Sequence, residues 1–209
     1  MKFYGQYNQD KWLFENYFKN KKDGFFLEIG ADDGIDKSNT KFYEELGWRG
    51  MCIEPSHKRF KLLEENRRCY CENYAVSDSV GEVEFLDISG WGKGLSGIVG
   101  KYDLRHKQRI NQEVQHPQNR GNETIVVKTE LLSNLLDKHG IIEIDFCTID
   151  TEGGEFDIIK TIDFNKYNFK IILIENNYKE TNIRDYLADR GYKLVTTLTI
   201  DDVFVKEGD

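Results

Sequence analysis

A chain of 209 residues, 39% hydrophobic and 32% charged, carries enough apolar material for one core, since single α/β domains commonly run to roughly 200–250 residues. Its two prolines and 18 glycines exclude the composition of a disordered chain. The net charge of −8 argues against a nucleic-acid partner or a broad anionic-membrane surface, because both rest on clustered Lys and Arg.

In chain order, a helical period at about 8 to 19 leads into "FFLEIGADDG", a strand at 25 to 29 followed by a turn holding Gly30, Asp32, Asp33 and Gly34. Glu28 is the odd residue, because an ionised carboxylate costs several kcal/mol, as an order of magnitude, to bury unless something pairs with it. A helix at 38 to 46 follows, capped by Ser38 and ended by Gly47. A strand at 50 to 54 closes on Glu54 before Pro55, and a helix at 56 to 66 and a strand at 69 to 76 come next. The second half repeats the alternation, with helices at about 131 to 138, 154 to 162 and 180 to 190, and strands at 144 to 149 and 170 to 175. This pattern predicts an α/β fold around a mostly parallel sheet. The last two strands, 192 to 198 and 202 to 206, are too close for a parallel crossover and predict an antiparallel hairpin at one sheet edge.

One segment breaks the alternation. From Ser89 to Asn122 the chain is polar, flanked by the strand-like "EVEFLDI" and "TIVVKTE", and an insertion of that length is usually a lid or a disordered excursion. Its basic cluster from Lys101 to Arg109, and its His106 and His116, are expected to be solvated. The four cysteines, Cys52, Cys69, Cys71 and Cys147, lack zinc-site spacing and follow no secretory signal. Free thiols in a reducing, cytoplasmic setting are therefore expected, and no window is long enough for a membrane span.

The chemistry concentrates at strand ends. After the first strand the spacing is G-x-x-x-G rather than G-x-G-x-x-G, and the two aspartates in the loop would repel a pyrophosphate. A cationic ligand fits better. Glu54, twenty residues after Gly34, is suited to accept hydrogen bonds from both ribose hydroxyls. "IDFCTIDTEGGE" brings Asp150, Glu152 and Glu155 to the end of the next core strand, and "IILIENN" ends in Glu175, Asn176 and Asn177. With Asp150, these oxygens can hold a hard divalent cation such as Mg²⁺ or position a substrate hydroxyl. No H-E-x-x-H, nucleophile elbow or P-loop is present.

The segments "NQD", "GFFLEIGADDG", "SNTKFYEELGWRGMCIEP", "YCENYAVSD", "LSGI", "IDFCTIDTEGGEFDII" and "IILIENN" occur in this order, and together the chain resembles the FkbM-type family of S-adenosylmethionine-dependent methyltransferases. The resemblance implies a Rossmann-like class I methyltransferase fold, with a mostly parallel seven-stranded sheet, an antiparallel C-terminal hairpin and helices on both faces. It implies one domain over 1–209, with a lid-like insertion at about 89–122. It also implies that Glu28, Gly30 and Asp32 line the methionine side of the cofactor and that Glu54 takes the ribose. Ala75, Val76 and Ser77 would border the adenine, and Ser38, Asn39 and Pro55 complete the cofactor-binding set. Asp150 and then Glu152 are the expected bases, and Asp150, Glu175 and Asn176 the expected ligands if a divalent cation is used. The expected reaction is O-methylation of a sugar or glycan hydroxyl, with Trp91 and Tyr102 of the insertion meeting the sugar. A non-sugar metabolite, a non-catalytic adenosyl-binding module and a nicotinamide oxidoreductase remain as alternatives.

Overall fold

A computed structural model describes residues 1–208. In chain order it contains α1 (Gln9–Leu13) running into a π-helical turn (Phe14–Phe18), β1 (Phe25–Ile29), α2 (Lys41–Glu45), β2 (Arg49–Ile53), α3 (His57–Asn66) and β3 (Tyr70–Glu72). There follow β4 (Ala75–Val76), β5 (Gly81–Gly90), β6 (Gly97–Ile98), α4 (Leu104–Glu113), β7 (Asn119–Glu130), α5 (Leu132–Lys138), β8 (Glu143–Ile149), α6 (Glu155–Lys160), β9 (Asn168–Glu175), α7 (Thr181–Ala188), β10 (Tyr192–Leu198) and β11 (Asp201–Lys206).

The main sheet has the order β10-β11-β9-β8-β1-β2-β3. Its members are parallel except at the terminal hairpin, where β11 runs antiparallel to both β9 and β10. Period-two alternation divides the strands between two cores. Leu27, Ile29, Met51 and Ile53 pack with Leu135, Ile158 and Leu187 on one face, and Phe26 and Cys52 pack with Leu13, Phe42, Tyr43 and Leu63 on the other. Helices therefore cover both faces.

Two expectations change. The single strand at 69 to 76 is split: β3 joins the main sheet, while β4 pairs with β7 in a second, four-stranded sheet of order β4-β7-β5-β6. Asn73 makes the break, its amide donating to the carbonyls of Glu54 and Pro55 at 2.8 and 3.1 Å. The insertion is neither a plain loop nor disordered. β5 and β7 pair from Gly81↔Thr129 to Gly90↔Asn119, and α4 packs beneath them through Ile110, against Ile88, Leu95 and Tyr102.

The buried acid of β1 is answered inside the protein. Glu28 accepts from Ser38 Oγ at 2.8 Å, the Asn39 amide at 2.9 Å and Thr40 Oγ1 at 2.7 Å. Arg67, whose side chain is 0% exposed, reaches the same carboxylate at 3.2 Å and Glu44 at 3.1 Å. Gly34 leaves room for it, since a Cβ there would stand 2.7 Å from Arg67 Cγ. All four cysteines are free thiols, and no helix among the described residues is long and apolar enough to cross a membrane.

Replacing Arg67 by Met strips two buried carboxylates of a shared counter-charge. Removal of one partner from a buried ion pair costs about 3–5 kcal/mol, so the unfolding free energy from urea denaturation is expected to drop by that amount and the midpoint to fall with it. An unchanged midpoint would mean that Glu28 does not depend on Arg67.

Candidate active site

A cleft of about 300 Å³ opens beyond the carboxyl ends of β1, β2, β8 and β9, where parallel α/β sheets place their ligands. The turns after β1 and β8 cross at its floor. Gly30 has φ +87°, and a Cβ on it would lie 1.9 Å from the carbonyl oxygen of Asp150, so only glycine lets these strand ends meet. Asp32, Lys37 and Glu152 also hold left-handed backbone without being glycine, and all three line the cleft. Such strained residues gather at binding sites because their surroundings over-determine them.

One half of the cleft sets a buried carboxylate beside an apolar slot. Glu54 is buried, its two oxygens accepting from the amides of Asp32 and Ser56 at 2.9 and 2.8 Å. Each oxygen keeps a second acceptor site for a hydroxyl. Burial, only partly offset by nearby Arg59, pushes its carboxyl up to about 8. Beyond it, Ile53, Pro55, Ala75, Val76, Phe85 and Ile98 form an apolar slot. On the other side Asn39 donates to Thr148 Oγ1 at 3.3 Å, while its own Oδ1 is buried and unpartnered. That orphaned acceptor suits an ammonium group.

Several expected cofactor residues line the cleft and also have partners within the protein. Glu28 borders the cleft with its oxygens already engaged by Arg67 and the 38–40 turn, so it braces the wall. Ser38 Oγ donates to Glu28 and accepts from the Lys41 amide at 3.0 Å, but the N-cap of α2 is Thr40, so Ser38 ties the turn before the helix rather than capping it. Asp32 is neutralised by Lys93 at 2.8 Å and faces Arg59 at 3.6 Å. Ser77 is buried outside the cleft and bonds Asp78.

The other half of the cleft is acidic. Asp150 is reachable by water through the opening yet sits deep among protein groups. Burial, then the charges of Asp201 and Glu155, raises its carboxyl to about 7. Burial followed by the charge of Asp150 holds Glu152 and Glu175 well above the carboxylate range. One oxygen from each of Asp150, Glu152 and Glu175 lies within 4.8 Å of the others.

Asn176 is not brought into this cluster. Its amide donates to Asp202 at 2.8 Å and to the Glu180 carbonyl at 3.0 Å, and its oxygen accepts from the Glu180 amide at 2.7 Å. Glu155 holds the turn before α6 by accepting from the Thr151 and Gly153 amides. The expectations of a solvated His106 and a sugar-facing Tyr102 are both corrected: each is buried in the insertion, and the Tyr102 hydroxyl is used by the Leu95 carbonyl at 2.9 Å. The basic cluster belongs largely to α4; Lys101 bridges Asp78 and Asp157, and Arg109 lines the cleft.

Sequence reasoning missed Arg59, Lys93 and Asp201, which also line the cleft. Asp201 of β11 pairs in register with Glu175 of the neighbouring β9. Its position in a three-residue connection was the available signal.

The strand order with β11 inserted between β9 and β10, and the ligand cleft at the carboxyl ends, define a class I methyltransferase. Residues 28–194 match the methyltransferase FkbM domain, and the chain belongs to that family, whose methyl donor is S-adenosylmethionine. Among solved structures, the METTL16 methyltransferase domain is similar at 15% identity and a TM-score of 0.51, over 97% of this chain and 67% of that one. A human methyltransferase 10 domain-containing protein is similar at 13% identity and a TM-score of 0.47, over 97% and 81%. No curated protein matches the chain.

Because the Glu54 carboxyl titrates higher in the folded protein than its ordinary 4.5, its contribution to stability is complete below that value and is lost as pH rises through about 8. In thermal melts of the ligand-free protein, the wild-type melting temperature is expected to fall relative to Glu54→Gln between pH ~5 and ~8. A difference that does not vary with pH would show that Glu54 is already ionised.

Proposed function

We propose that this protein is an S-adenosylmethionine-dependent O-methyltransferase acting on a hydroxyl of a sugar or glycan. The observation that carries the reading is Asp150, a carboxyl near neutrality at the open floor of the cleft, beside Glu152 and across from the half that holds Glu54 and the apolar slot.

The donor supplies a sulfonium-bound methyl group, an electrophile that needs an aligned nucleophile and exclusion of water. The chain's residues divide the rest. Glu54 accepts from the ribose hydroxyls, the slot between Pro55 and Val76 takes the adenine, and Asn39 Oδ1 takes the ammonium. Asp150 removes the proton from the acceptor hydroxyl as the new bond forms, and a base that titrates near the working pH is the most effective one. At the mouth, Trp91 is 55% exposed, lines the cleft and stacks on His116 at 4.3 Å. An exposed indole beside Arg109 and Glu113 offers the apolar face and polar rim that a sugar ring uses.

With labelled donor and a panel of sugar acceptors, Asp150→Asn is expected to lower transfer by about 10²–10⁴-fold while donor affinity stays within a few-fold. Equal transfer by both proteins would remove Asp150 from the mechanism. Trp91→Ala is expected to raise KM for the sugar and leave kcat nearly unchanged. A loss confined to kcat would place the indole away from the bound sugar.

A further inference from the structure

Three of the four cysteines gather beside Arg67, away from the cleft. Cys52 of β2 is 0% exposed, while Cys69 and Cys71 are half-buried at β3, the edge strand of the main sheet. Cys52 pairs in register with Cys71, and all three thiols pack into one core with Phe26 and Leu63. Cys69 lies just before β3, in the bend that follows Arg67. Its sulfur shares a hydrogen bond with the Cys52 sulfur at 3.6 Å, whereas the Cys71 thiol donates to the Cys69 carbonyl at the same distance. Hydrogen bonding by Cys52 and then by Cys71, with the charge of Arg67 added, pulls the Cys69 thiol below its ordinary range. Cys147 makes the contrast, because it is buried in the opposite core and burial alone pushes its thiol up. The thiolate is the reactive form of cysteine. In this cluster the sulfur that solvent can approach is also the ionised one, and a fully buried thiol stands behind it.

We propose that Cys69 and Cys52 form a reversible oxidation site, at which a hydroperoxide oxidises Cys69 and Cys52 resolves the product as a disulfide within the chain. In the first step the Cys69 thiolate takes one peroxide oxygen, the O–O bond breaks, and the hydroxide or alkoxide that leaves collects the proton the thiol gave up. In the second the Cys52 sulfur attacks the Cys69 sulfur, the S–O bond breaks, and the sulfenic oxygen departs as water with the Cys52 proton. Two thiols are oxidised and one peroxide is reduced, with hydrogen peroxide giving two waters. Going from 3.6 Å to the ~2.05 Å of a disulfide asks for about 1.5 Å of movement. Cys69 can supply it because its backbone lies outside the β3 ladder, whereas Cys71 is held in register. The new bond also removes the S–H that Cys52 directs at Glu28 Oε2, 3.7 Å away, so oxidation is felt at the ion pair between Glu28 and Arg67. Disulfides that form in a reducing setting are transient and serve as sensors.

Reduced full-length protein is exposed to a few equivalents of hydrogen peroxide, its remaining thiols are alkylated, and unreduced tryptic peptides are read by mass spectrometry. The expected result is the loss of two of the four alkylatable thiols, with a new species that joins the Cys52 peptide to the Cys69 peptide of the same chain and is reversed by dithiothreitol. The link should vanish in Cys69→Ser, persist in Cys71→Ser, and give way in Cys52→Ser to a Cys69 sulfenic acid that dimedone traps. Cys147 should stay alkylatable throughout. Should Cys52→Ser fail to fold by circular dichroism, Cys52→Ala is judged by the same trap. Absence of the cross-linked species, a link that survives in Cys69→Ser, or a link found only between chains would overturn the site. These readouts need neither donor nor acceptor.

Discussion

The buried guanidinium of Arg67 is the constraint around which the donor side of the protein is arranged. It enters from the end of α3, lies over the Phe26 ring at 5.2 Å, and ties Glu28 of β1 to Glu44 of α2 and to the 38–40 turn. Desolvating three charges is expensive, and the arrangement is tolerable because the donors and acceptors are nearly all met at once. Its return is positional. The turn it braces carries Asn39, and the glycine that makes room for it ends the loop that carries Asp32. A site residue set on a loop is only as well placed as the buried groups beneath it.

The alternating strands and helices were legible in the sequence because hydrophobic periodicity and capping residues are local signals. β1, β10 and the terminal hairpin follow the pattern closely. The strand ends were legible for the same reason: Glu54 and Asp150 are acids that close apolar runs, and such acids have few structural excuses. What could not be read was partnership across distance. Glu28 looked like a group waiting for a ligand because Arg67 lies 39 residues away in the chain, and no local pattern links them. Asn176 looked like a metal ligand because it follows Glu175, yet its amide is spent on Asp202 in the hairpin. His106 sits in a polar stretch that reads as solvent-facing, and only the fold of the insertion against the cleft buries it.

The insertion also changes meaning once its strands are seen. A run of Gly, Gln, Asn and His is low in hydrophobic content, but Ile88, Leu95, Tyr102 and Ile110 are enough to give it a small core of its own. That core fixes α4 and aims His106 inward, while Lys93 on the same segment holds Asp32 at the opposite rim. The insertion therefore touches both halves of the cleft through charged contacts, which form and break more readily than packed apolar ones.

β4 is only two residues long, yet it sets how information passes through the molecule. Ala75 and Val76 are both part of the cleft's apolar slot and the edge partner of β7, the strand whose far end returns from α4. One short sheet therefore joins the apolar slot of the cleft to the insertion. A ligand that fixed this edge would also bear on the strand leading from α4, and any such coupling would act equally in both directions.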